Sequence, residues 1–83
     1  MNSEQANQWI DAKVIELTAA IAKNPLGVTQ VNTCEDAPRN GWSVEEYLYM
    51  PYVRDILHTR GFGGLVIVSH GVKEYKFFNN AKS

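Results

Sequence analysis

Residues 43–61 read SVEEYLYMPYVRDILHTRG, and the position of Pro51 within them decides the fold. Ser43-Val44-Glu45-Glu46 has the form of a capping box, which sets a helix start near residue 44. Pro51 then falls inside the helical pattern, where it forfeits a hydrogen bond and clashes with the carbonyl four residues back. The apolar phase shifts at the same point. Val44, Tyr47 and Leu48 share one side of a helical wheel, and Tyr52, Val53, Ile56 and Leu57 share another, rotated by roughly half a turn. One straight helix would be apolar all round. Two short helices, over about 44–49 and 51–60, would each bury one face, with Pro51 in the tolerated first turn of the second. Gly61 ends the second helix.

Downstream, residues 64–68 and 72–78 read as a β-hairpin around Ser69-His70-Gly71. A two-residue loop, His70-Gly71, would place Leu65 and Ile67 on one face with Glu74 and Lys76. A three-residue loop, with Gly71 left-handed, would gather Leu65, Ile67, Tyr75 and Phe77. The three-residue loop is preferred, because a slip of one residue exchanges the faces and only this register separates a clean apolar one. The tail from Asn79 to Ser83 is polar and expected to fray.

Upstream, residues 3–23 read as a helix capped by Ser3, with Glu4 at the positive end of its dipole. Ile10, Val14, Leu17 and Ile21 form one apolar stripe. Ala12, Ile15, Ala19 and Ala22 form a second, of small residues that would let another helix approach closely. Asn24-Pro25 and Gly27 stop the helix. Residues 28–33 suit a short strand, and 34–42 a loop with turn formers at Pro38 and Asn40-Gly41.

The expected fold class is therefore α+β: a small single domain ordered as helix, short strand, helix, helix, β-hairpin. That order is similar to a winged helix-turn-helix domain. The resemblance implies that the helix before the hairpin is a recognition helix and the hairpin a wing. The same order also suits an open three-stranded sheet packed on helices.

Two kinds of partner fit these residues. Nucleic acid is the first, through the winged-helix-like arrangement. The polar face of residues 51–60 would offer Arg54, His58 and Thr59, with Arg54 reaching guanine edges or phosphate and Asp55 opposing it. Arg60, Lys73 and Lys76 would touch the backbone, and so few phosphate contacts give weak binding that falls steeply with salt. A partner protein is the second. Eight of the nine aromatics lie between residues 42 and 78, and Trp42, Tyr47, Tyr49 and Tyr52 fall close together. A small core does not readily bury all four, and Tyr and Trp favour interfaces because they join large area to a polar tip. Ala12, Ile15, Ala19 and Ala22 add the prospect of a homodimer. Either way the expectation is a non-enzymatic regulatory or accessory protein, the alternative being a small inhibitor or adaptor.

Catalysis has less to stand on. Cys34 with His58 or His70 would make a nucleophile–base pair, but no spacing singles it out. The Glu35-Asp36 pair, Cys34 and the histidines lack metal-ligand spacing. Gly61, Gly63 and Gly64 precede a strand, whereas a phosphate cradle opens a helix. No catalytic residue, cofactor or metal is expected.

Composition frames these choices. The chain has 83 residues, 45% of them hydrophobic, and a formal charge of −1. Ordinary apolar content and low net charge exclude a disordered tail. A lone cysteine excludes an internal disulfide framework and suits a reducing cytosol. With no signal-peptide pattern and no apolar run of membrane-spanning length, a soluble cytoplasmic domain with no membrane partner is expected. The charge is unevenly spread: residues 1–37 carry −3 and residues 38–83 carry +2. The basic part is the one that holds the expected recognition helix and wing.

Overall fold

The computed structural model describes residues 2–36 and 43–80. The chain runs α1 (Ser3–Lys23), β1 (Thr29–Cys34), α2 (Val44–Thr59), β2 (Phe62–Ser69) and β3 (Val72–Asn79). The three strands make one antiparallel sheet in the order β1-β3-β2. Both helices pack on the same face of it, so the molecule is an α+β domain of two layers. No helix among the described residues is long and apolar enough to cross a membrane.

Helix α1 forms as its pattern dictates, with one change at its start. Asn2, not Ser3, is the N-cap. Its Oδ1 accepts from the Gln5 N–H at 2.9 Å, and the Gln5 Oε1 accepts from the Asn2 N–H at 3.1 Å. This reciprocal box satisfies two donors that Ser3 at the cap would have left one residue out of phase. Ile10, Val14, Leu17 and Ile21 are the buried stripe, as their spacing requires.

Helix α2 corrects the expectation of two short helices. It is one helix, with Pro51 at its interior. Met50, Val53 and Leu57 are all buried, and their spacing of three and four puts them on one line that passes across the proline. Burial of that line outweighs the missing Pro51 N–H, so the helix continues. The helix-turn-helix pair of a winged helix is thus replaced by a single element. Ser43 is the N-cap, but its hydroxyl makes no capping bond. It donates instead to the Glu45 carboxylate at 2.8 Å, which holds that carboxyl below its usual range. At the other end the Gly61 N–H donates to the His58 carbonyl at 3.0 Å, and Gly61 takes φ +90°, the left-handed conformation glycine adopts without strain.

The hairpin is the second correction. Ser69 pairs with Val72, so the loop has two residues, not three. His70 and Gly71 take φ of 51° and 77°, the left-handed pair of a turn whose twist matches the strands. The Gly71 carbonyl accepts from the Glu35 N–H at 2.9 Å, and this extends the β1–β3 ladder into the turn. The two-residue register pairs Leu65 with Lys76 and Ile67 with Glu74, on the face away from the helices. The covered face holds Phe62, Gly64 and Val66 from β2, Tyr75 and Phe77 from β3, and Val31 and Thr33 from β1. Tyr75 and Phe77 are fully buried there. Thr33, also buried, donates its hydroxyl to the Lys73 carbonyl at 3.2 Å. The expected turn at Pro38 and Asn40-Gly41 lies outside the described residues, as do residues 81–83 of the tail; β3 itself runs through Asn79.

Candidate protein-interaction surface

A continuous α2 has a consequence that two short helices would have avoided. Its two apolar phases now belong to one cylinder: Val53 and Leu57 of the second face the core, while Tyr52, at the edge of that phase, turns outward. Val44, Leu48 and Tyr52 recur every four residues on the side opposite Met50, Val53 and Leu57. They are 38%, 52% and 58% exposed. Asp55 continues the same line three residues further on.

The aromatics beside this line are divided by the geometry of the helix. Tyr47 and Tyr49, two residues apart, flank the buried face on opposite sides. Tyr49 meets Trp9 of α1 at 5.9 Å between ring centres, tilted by 53°. The Lys13 ammonium lies 5.3 Å over the Trp9 ring, bonds Glu16 at 2.7 Å and reaches Glu46 at 3.7 Å. On the other flank the Lys73 ammonium lies 4.9 Å over the Tyr47 ring. Tyr47 and Tyr49 therefore tie α2 to β3 and to α1. Tyr52 stays exposed, and with Tyr49 it lines a hollow of about 240 Å³ walled by Ser3, Ala6, Asn7 and Ile10. Trp42 lies outside the described residues.

The small-residue stripe of α1 also faces outward: Ala12, Ile15, Ala19 and Ala22 are all exposed. Ile15 borders a second hollow of about 380 Å³ with Asp11, Val14, Ile56 and Arg60.

The six residues expected to contact nucleic acid are spread over the molecule. His58, Thr59 and Arg60 are exposed together at the end of α2, with the Thr59 hydroxyl donating to the Ile56 carbonyl at 2.6 Å. Arg54 lies across Gly64, and its Nε is buried without a hydrogen-bond partner among the described residues. Lys73 is on the helix-covered face of the sheet, held over Tyr47. Lys76 is on the opposite face, 3.3 Å from Glu74.

The residues weighed for catalysis come from β1, α2 and the hairpin turn, with the turn lying next to the end of β1. Cys34 ends β1 opposite Val72, His58 is on α2, and the His70 Nδ1 lies 2.9 Å from the Ser69 hydroxyl in the turn. No group of three or more His, Cys, Asp or Glu placed to hold a metal occurs among the described residues.

Sequence reasoning overlooked Val44 and Leu48 as surface residues, and Leu65 and Ile67 as exposed strand residues. The signal for the first pair was the half-turn shift of phase at Pro51. An unbroken helix with two apolar sides has one left over. Comparison with protein-family models, with curated proteins and with solved structures finds no match for this chain.

Proposed function

We propose that this chain is a small protein-interaction module that docks the outward side of α2 into an apolar groove on a partner protein. The observation that carries this reading is the line Val44, Leu48 and Tyr52, exposed on a helix whose opposite side is the core. Large apolar side chains lined up on the solvent side of a helix are candidate contact points for a partner. Anchors one turn apart are how an amphipathic helix is read by a receiving groove. The hollow beside Tyr49 and Tyr52 would accept a side chain projecting from the partner.

Magnitudes bound the strength of such a contact. Covering the exposed halves of these three side chains is worth about 1 kcal/mol each. Micromolar binding needs about 8 kcal/mol, so flanking contacts must contribute most of it, and the three act as anchors. The test is capture from cell extract by the intact chain and by two variants with unchanged melting. Leu48→Glu should lose a partner by at least about tenfold, while Lys76→Ala, on the far face of the sheet, should retain it. The same proteins captured equally by both variants would end this reading.

A nucleic-acid role remains a second reading, because His58, Thr59 and Arg60 are exposed together just before the hairpin. It predicts that duplex DNA is retarded at low salt and released at moderate salt, and that Arg60→Ala weakens the complex. Absence of retardation at low salt would remove it.

A further inference from the structure

Strand β2 is an edge strand: among the described residues β3 is its one neighbour in the sheet. Natural edges of this length carry a charge, a proline or a bulge that discourages pairing. Phe62-Gly63-Gly64-Leu65-Val66-Ile67-Val68-Ser69 has neither a charged residue nor a proline. Its eight residues pair with β3 in unbroken register, so there is no bulge either. The opposite edge, β1, is shorter and polar, with the Gln30 amide donating to the Asn32 side chain.

The direction of the edge groups follows from the register. Glu35 donates to Gly71, so Gly71, Lys73, Tyr75 and Phe77 turn their backbone groups to β1. The alternate residues of β3 turn theirs to Ser69, Ile67, Leu65 and Gly63. The N–H and C=O groups of Phe62, Gly64, Val66 and Val68 are therefore directed outward from the sheet.

We propose that β2 pairs antiparallel with β2 of a second copy of this chain, about a twofold axis at Leu65, to make a continuous six-stranded sheet. In that register Val66 exchanges hydrogen bonds with Gly64 of the second copy, and Val68 with Phe62. On the uncovered face Leu65 meets Leu65 across the axis, and Ile67 lies opposite Gly63, where it meets the Phe78 ring that covers that glycine. No charge meets a like charge anywhere along the strand. Leu65 and Val68, 57% and 65% exposed in one copy, gain cover from the other. An eight-residue strand is about 27 Å long, so the contact falls at the small end of specific interfaces, and a weak dimer is expected. The surface is separate from the outward side of α2, so the pairing stands or falls independently of the proposed docking.

Sedimentation of the full chain across concentrations tests this, with Leu65→Lys and Leu65→Glu as the variants. Residue 65 is exposed in the monomer, so each variant should melt as the parent does. The parent should pass from monomer to dimer between about 10 µM and 1 mM, as expected for a contact of this size. Each variant alone should stay monomeric, because like charges oppose across the axis. Their equimolar mixture should dimerise again, since Lys then faces Glu. A parent that stays monomeric throughout, or open-ended polymers, would overturn the proposal. So would a dimer that both variants leave intact but Ala19→Glu on α1 dissolves, or a mixture that fails to recover.

Discussion

At the residue scale, Tyr75 concentrates the dependence of this small core on a single side chain. It stands on the central strand, buried under both helices, with its ring stacked 6.1 Å from Phe77. Burial raises its phenol above the ordinary value of 10.0, while the Arg54 charge acts in the opposite direction. A group whose pKa is raised on folding contributes stability that is whole below its unfolded pKa. That contribution fades as pH climbs through the folded pKa. The domain should therefore lose melting temperature above about pH 10 more steeply than a Tyr75→Phe variant, which has no phenol to ionise. Melting curves of the two from pH 8 to 11 check this, and equal slopes would contradict it. Gly71 shows a different kind of constraint. Its φ of 77° is left-handed, and a Cβ there would come within 2.8 Å of the Glu35 carboxylate.

At the scale of elements, α2 shows a local rule overridden by packing. Pro51 costs a helix interior up to about 3 kcal/mol, yet Met50, Val53 and Leu57 hold the helix through it. Pro51→Ala should restore the bond to the Tyr47 carbonyl and raise stability by about 1–3 kcal/mol. Thermal melting reads this as a rise of several degrees, and a fall would mean the proline fits its site better than alanine. The same helix explains what the residues disclosed in advance. The buried stripe of α1 was legible because its second stripe is mostly alanine, which leaves one face plainly more apolar. The phase shift at Pro51 was legible too, but not its outcome, because chain-local rules do not weigh the burial of Met50 and Leu57 together. The hairpin register was obscured for a related reason. β2 is apolar on both faces, Leu65 and Ile67 on one and Val66 and Val68 on the other, so alternation alone does not say which is inside. The information lay in the turn, where His70-Gly71 accepts two left-handed residues.

At the scale of the molecule, two helices cover one face of a three-stranded sheet and leave much apolar surface outside. The outward line of α2, the uncovered face of β2 and the alanine stripe of α1 all face solvent in a chain of 83 residues. This exposed apolar surface is what the proposed contacts would cover. The residues expected to form one nucleic-acid surface occupy opposite faces of the sheet at Lys73 and Lys76. The residues proposed to anchor a partner, Leu48 and Tyr52, are adjacent on one helical line. A photoreactive phenylalanine analogue placed at Tyr52, and separately at Lys76, tests that difference in intact cells. The account predicts a covalent adduct of one defined mass from position 52, abolished when Leu48→Glu is added, and none from position 76. No adduct at 52, or the same adduct from both positions, would contradict it.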